Sequence, residues 1–285
     1  MSFKSINPDT LSIPERHRYL LGGVGPRPIA FASTIDTRGN VNLAPFSFFN
    51  VFSSNPPILV FSPARSGRTG ETKDTLKNVL EVNEVVINVV TYNMVHQMSL
   101  ASSPYERGVN EFKKAGFTEI SSEVIQPPRV KESPIQFECK VNEVIELGSE
   151  GAAGNMVICE VVKIHIDHSV LNADGNIDQT KIDLVSRMGG NWYCRANGDS
   201  LFEVDKPITT RGVGIDALPK KIRLNESLNG NELGILGNLI ELPSMDSITS
   251  ILSSLDKPEL SIDLAKSLIQ KGEHTLAYAV LTEIL

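Results

Sequence analysis

The chain has 285 residues, 41% hydrophobic and 21% charged, with a formal net charge of −7. This is globular composition, sized for one large domain or for a domain of about 200 residues with an appendage, so disorder is not the default. No basic block is present to track a nucleic-acid backbone, and no run of 18 apolar residues is present to span a membrane.

In chain order, MSFKSINPDTLSIPERHRYLL has no long apolar run and does not read as a signal peptide, so a cytoplasmic protein is expected. PERHRYLLGG predicts a short helix from Pro14 that stops at Gly22 and Gly23. PIAFASTID predicts a strand, DTRGN a turn, and the run from Asn42 a second strand. Pro56 and Pro57 withdraw ladder donors, so ILVFSP begins a new strand. KDTLKNVLEV predicts a helix with Asp74 near its start, and EVVINVV another strand. YNMVHQMSLASSP and ERGVNEFKKAG have helical content, with Gly116 as a stop. IQFECKVNEVIEL and MVICEVVKIHID are long strands around GSEGAAGN, a loop or hairpin tip.

Strands outnumber helices and show no regular βαβ alternation, which predicts a mainly β fold, an antiparallel barrel with helical excursions. From about Ile208 the strand signatures end. DSITSILSSL, SIDLAKSLIQKG and HTLAYAVLTEIL predict amphipathic helices with Asp or Ser near their starts. The expected division is a barrel domain over 1–207 and a helical C-terminal appendage over 208–285.

Two segments invite chemistry. NLAPFSFFNVFSSNPPILVFSP is apolar enough for a core strand, yet it carries Ser47, Asn50, Ser53, Ser54 and Asn55. Each buried polar atom needs a partner, and Pro45 removes a ladder donor, so neighbouring backbone groups are left for a ligand. RSGRTGETKDT then brings Arg65, Arg68, Lys73, Thr69, Thr72 and Thr75 into eleven residues ahead of a helix, a combination that suits phosphate. Alone, neither signal decides: such loops are commonly solvated turns, and such serines commonly sit in bulges.

GPRPIAFASTIDTRGNVNLAPFSFFNVFSSNPPILVFSP, followed by KDTLKNV, resembles the flavin reductase-like family with the FMN-binding split barrel. EFKKAGFT and SRMGGNWY occur where that family has comparable segments, and the resemblance covers about residues 14–195. It implies that Ser33 and Thr34 approach the phosphate and ribityl end of FMN. Asn42, Ala44, Pro45, Phe46 and Ser47 would bond the ring system. Arg65, Lys73, Asp74 and Thr75 would complete the phosphate end. Arg187 of SRMGGNWY would either join the flavin site or form a structural salt bridge. The resemblance also implies a homodimer with its flavin sites near the interface. It implies NADH or NADPH as the electron donor, and free flavin, iron, a partner oxygenase or another small molecule as acceptor. A non-enzymatic FMN-binding electron carrier stands as the alternative, and a flavin-free interaction barrel as a third reading. No particular catalytic residue is implied.

Other patterns weaken on inspection. GGVGPRP imitates a dinucleotide fingerprint, but Pro26 and Pro28 forbid the helix it needs. LNADGNID imitates a calcium loop, but registered on Gly175 its first and last ligand positions are Val170 and Lys181. His165 and His168 fall on opposite faces of a strand, which suits a structural or surface role better than shared metal ligation. His17 and His96 are lone histidines, and His96 either packs or borders the flavin pocket. Cys139, Cys159 and Cys194 are too widely spaced for a zinc knuckle or a disulfide framework, so buried thiols and no metal site are expected.

Overall fold

The proline-rich bend after helix α1 (Ile13–Gly23) leads into strand β1 (Ala30–Ile35), which is buried on both faces. The α1 start is a capping box: the amide and hydroxyl of Ser12 both donate to Glu15, at 3.0 and 2.6 Å, with Pro14 in the first turn. The Asp36–Asn40 turn returns the chain as β2 (Val41–Phe46), with Asp36 Oδ1 accepting from the amides of Arg38 and Asn40.

The run from Asn42, expected as one strand, is two. β2 stops at Phe46 and β3 (Phe49–Ser54) begins after Ser47 and Phe48, then turns back as β4 (Pro57–Phe61). The start of a new strand after the proline pair is borne out, since Ser54 faces Pro57 across the hairpin. Helix α2 (Asp74–Val82) and β5 (Glu84–Asn88) follow, then α3 (Val95–Leu100) and α4 (Glu111–Ala115), which stops at Gly116 with φ +73°. Short strands β6 (Glu119–Ile120) and β7 (Arg129–Val130) precede the long hairpin β8 (Ile135–Glu146) and β9 (Asn155–Ile166). A small ribbon, β10 (Leu184–Arg187) with β11 (Tyr193–Ala196), completes the strands.

Seven strands form one antiparallel sheet in the order β2-β1-β5-β8-β9-β4-β3. Its two edges, β2 and β3, are consecutive in the chain and separated only by Ser47 and Phe48. The three Cα–Cα steps from Phe46 to Phe49 span at most about 11 Å, so the edges must converge at that end and the sheet curls into a barrel that stays split along its length. The inside is filled by Ala30, Ala32, Phe61, Val85, Ile87, Cys139, Val157 and Cys159. Outside, α3 and α4 cover Phe31 and Leu43 with Met94, Met98 and Phe112, which explains why β1 has no solvent face.

Residues 1–205, 207–253 and 259–285 are described by this computed structural model, and they cluster into two units, Met1–Phe202 and Glu203–Leu285. The second unit is helical, with α5 (Lys220–Arg223), α6 (Gly230–Gly237), α7 (Met245–Ser253), α8 (Ile262–Gln270) and α9 (His274–Ile284). It has its own core, in which Leu236, Ile248, Ala265, Leu268 and the stretch Ala277–Leu281 are buried. The expected helices in this segment are present. The last two residues of DSITSILSSL, Ser254 and Leu255, lie outside the described residues. Among the described residues no helix is long and apolar enough to cross a membrane.

Candidate functional site

The split between the barrel edges is where polar atoms gather. Pro45 sits on edge strand β2, where a missing amide costs the sheet little. Beside it lies a cavity of about 420 Å³, lined by Pro45, Phe46, Ser47, Phe48, Ser62 and Ala64 of the barrel and by His17, Arg18 and Leu21 of α1. Arg27, Lys73, Arg187, Met188 and Gly190 complete its wall. A smaller cavity of about 110 Å³, lined by Asn42, Ala44, Asp74, Thr75, Tyr105 and Glu111 among others, shares Pro45, Phe46 and Lys73 with it. The two therefore adjoin across the first turn of α2.

Nine of the twelve expected site residues line these cavities: Asn42, Ala44, Pro45, Phe46, Ser47, Lys73, Asp74, Thr75 and Arg187. Ser33 and Thr34 do not. Both are fully buried in β1, and Thr34 stands behind the wall, where it accepts from Asn78 Nδ2 at 3.1 Å. Strand alternation explains the placement, because β1 is an inner strand whose two faces are both covered. Arg65 is also outside the lining. Its guanidinium pairs with Glu146 at 2.9 Å, and its backbone is pinned to the β8–β9 turn through Ala152 and Ala153.

The wall is wired by side chains. Thr75 Oγ1 donates to Asn42 Oδ1 at 2.7 Å, while Asn42 Nδ2 donates to Glu111 Oε1 at 3.1 Å. The other oxygen of Glu111 accepts the Leu43 amide at 2.9 Å. Burial pushes the Glu111 carboxyl above its ordinary value, against the Leu43 amide and Asn42, which favour the charged form. Lys73 caps α2 through its backbone alone, its carbonyl accepting from the amides of Leu76 and Lys77 at 3.0 and 3.3 Å, and its side chain makes no capping hydrogen bond. Asp74 is paired with Lys77 at 2.8 Å.

Sequence reasoning missed several contributors, Ser62, Glu111 and Arg27 among them. Ser62 lines the larger cavity, and its hydroxyl is buried without a partner. Glu111 was seen only as part of a helix. Arg27, 6% exposed, donates to the carbonyls of Leu21, Val24 and Met188, yet among the described residues its Nε has no partner and no carboxylate answers its charge. Burial, and then the nearby Arg187 charge, hold its guanidinium below the ordinary value. For Ser62 the only signal was its place at the end of a strand that feeds a basic loop.

The larger cavity is thus walled by Arg18, Arg27, Lys73, Arg187 and His17, with no Asp or Glu among its lining residues. Such a site favours an anion, and its apolar floor of Pro45, Phe46, Leu21 and Met188 favours one with a flat apolar body. The buried, unpartnered Ser62 Oγ and Arg27 Nε offer hydrogen bonds that the protein itself does not fill, so the residues present fit a flavin phosphate ester.

Elsewhere, His165 is structural: its Nε2 lies 2.6 Å from Glu138 Oε1, whose side chain is fully buried. Cys139 and Cys159 are buried, and burial raises both thiols. His96 is exposed and lines neither of these cavities.

Known proteins share this fold. Residues 23–181, more than half of the chain, match the flavin reductase like domain family. An uncharacterized protein of Halalkalibacterium halodurans is 40% identical over 204 residues, covering 71% of this chain and 96% of its own. The crystal structure of nitrilotriacetate monooxygenase component B from Bacillus cereus superposes with a TM-score of 0.67 at 32% identity, covering 72% of this chain and all of that one. The Pseudomonas fluorescens 2-nitrobenzoate 2-nitroreductase superposes at 0.63 with 28% identity, covering 73% and 100%. The barrel is therefore the flavin reductase-like split barrel, with a helical appendage after it. The chain belongs to the flavin reductase-like family, whose fold and relatives make it a flavin-related oxidoreductase.

Proposed function

We propose that the first unit binds FMN in the split of its barrel and passes electrons from a reduced nicotinamide nucleotide to a second acceptor. The observation that carries this is the cationic cavity, five basic side chains with no carboxylate in the lining, joined to the start of α2. Lys73 and the helix-start amides would take the phosphate, with Ser62 as a further donor. Ala44, Pro45, Phe46 and Ser47 would flank the ring system, and Asn42, held by Thr75 and Glu111, would keep the β2 edge in place. Ser33, Thr34 and Arg65, which the family resemblance also implies, would support this wall from behind or beside it.

Bound flavin supplies the hydride and single-electron chemistry, and the protein contributes position and charge. Arg27 and Arg187 would favour negative charge on the reduced ring, and α1 would shield one side of the cavity from water. No side chain needs to act as a general base. The acceptor is a small molecule or a partner oxygenase. The similarity to a monooxygenase component supports the second, and the similarity to a nitroreductase supports the first.

A homodimer is part of this reading. β3 is an edge strand with Val51 and Phe52 62% and 64% exposed, an edge that a second copy would cover. The free thiols and the absence of a membrane-crossing helix among the described residues support a reducing, cytoplasmic setting.

The test is anaerobic. Purified protein is loaded with FMN, freed of excess, and followed at the flavin band on addition of NADH or NADPH. Bleaching faster than that of free FMN supports the reductase and names its donor. Retained flavin that stays oxidised with both nucleotides would replace it with an electron carrier, and failure to bind FMN in a titration would end the flavin reading.

A further inference from the structure

Arg27 and Arg187 are neighbours by backbone pairing: the Arg27 amide donates to the Arg187 carbonyl at 2.9 Å and the Arg187 amide returns the bond at 2.8 Å. Like charges held opposite one another repel, and among the described residues neither guanidinium is paired with a carboxylate. Among the described residues the Arg187 guanidinium donates only to the Trp192 carbonyl, at 3.3 Å, and it lies 4.6 Å from the centre of the Tyr193 ring. It faces two spaces. One is the cationic cavity at the barrel split; the other is a second cavity of about 390 Å³ on the far side of Arg187.

This second cavity lies between α3 and the β10–β11 ribbon. It is lined by Tyr92, His96 and Ser99 from the α3 side and by Arg187, Tyr193 and Arg195 from the ribbon, with Val95 and Val185 supplying apolar surface. No Asp or Glu lines it. Arg195 is already neutralised by Asp183, which accepts at 2.7 and 2.8 Å, and is stacked 3.8 Å from the centre of the Tyr92 ring. The unanswered charge in this cavity is therefore that of Arg187, and His96 and Ser99 line the same cavity as hydrogen-bonding groups whose side chains have no partner among the described residues.

We propose that this cavity is a binding site for an organic anion that joins an aromatic ring to a carboxylate or phosphate group, with its charge on Arg187. Arg187 provides the charge-assisted bond, and the apolar and aromatic wall accommodates the ring. Because Arg187 also borders the proposed flavin cavity, such an anion would lie next to it and would serve as the second substrate. That assignment rests on the flavin reading; the binding site itself does not. Two sources share this chemistry, a nicotinamide nucleotide donor and an aromatic acid acceptor.

The test is calorimetric titration of the full chain, with and without FMN, using nicotinamide mononucleotide and benzoate as probes. Ser99→Trp fills the cavity from an exposed helix position that lines neither flavin cavity, and His96→Ala removes a hydrogen-bonding group from another exposed position. The expected result is that at least one probe binds the native chain and that Ser99→Trp weakens it about tenfold or more, with FMN affinity unchanged. His96→Ala is expected to weaken it by about threefold or more. Nucleotide binding would identify the donor as the occupant, and benzoate binding alone an acid acceptor. Absence of binding by both probes, or affinities within about twofold of native in both variants, would overturn the site. FMN binding that persists while both probes fail sinks only this inference. Probe binding that persists while FMN fails sinks only the flavin reading.

Discussion

The hydroxyl of Thr75 donates to the side-chain oxygen of Asn42 across 2.7 Å, tying the first turn of α2 to the β2 edge. With Asn42 Nδ2 committed to Glu111, the amide is held at both ends and its orientation is set. One consequence concerns Thr75 itself. Its proton is spent on Asn42, so toward the cavity it presents an oxygen that accepts rather than donates.

An anion at this corner should therefore depend on Lys73 more than on the Thr75 hydroxyl. Lys73→Ala is expected to weaken FMN binding about tenfold or more, the worth of one hydrogen bond to a charged group. Thr75→Val, which keeps the shape, should weaken it only about threefold and act mainly by loosening Asn42. Fluorescence titration of FMN with both variants checks the order. A larger loss in Thr75→Val would reverse the assignment.

Glu111 makes a prediction about pH. Its folded-state pKa is raised, chiefly by burial, so its contribution to stability is full below the ordinary glutamate value of 4.5 and declines as pH rises through the interval up to the raised value. Glu111→Gln has no proton to lose. The stability of the native protein relative to Glu111→Gln should therefore fall as pH rises through that interval and level off above it. Urea unfolding across that range measures it, and a difference independent of pH would show that Glu111 does not titrate in this way.

Glu138 has the opposite sign. Burial alone would raise its carboxyl, but the amides of Glu123 and Val124, both at 2.8 Å, and His165 together hold it low. The stability it confers is present above the ordinary glutamate range and is lost as pH falls through its folded value. Glu138→Gln keeps one acceptor, loses the charge, and should cost roughly 1.5–3 kcal/mol at neutral pH. Thermal unfolding of the two proteins at pH 7 and pH 4 reads this directly: the gap should narrow at the lower pH.

The exposed edge strand makes a prediction about assembly. Val51→Lys combined with Phe52→Lys should convert a dimer into a monomer in analytical ultracentrifugation, with the barrel's circular dichroism unchanged. A native protein that sediments as a monomer would remove the dimer from the proposal.

Much of the barrel was legible because its signals are local. Pro56 and Pro57 marked the start of β4, Gly116 marked the end of α4, and Asp36 closes its turn within five residues. The Lys73–Thr75 segment could also be read directly, since a basic residue ahead of a helix start needs no distant partner to make sense. What escaped depends on distance. The break at Ser47 follows from closure of the whole sheet, and no neighbour of Ser47 signals it. Arg27 becomes informative only when Arg187, 160 positions later, is paired beside it. Glu111 looked like an ordinary helix residue until Asn42 and Leu43 came to its carboxylate. Thr34, which the resemblance places near the ligand, is buried in β1 between Asn78, from which it accepts at 3.1 Å, and Asn42 Oδ1, to which it donates at 3.5 Å.

The link formed by Ser47 and Phe48 has a mechanical consequence. It works as a drawstring: the seven strands have no other covalent tie between the first and last members of the sheet. Lengthening the turn at residues 147–154 would only extend a loop between partners already bonded side by side. Lengthening the chain between Phe46 and Phe49 would release the curl itself, and the gap between the edges would widen with every residue added.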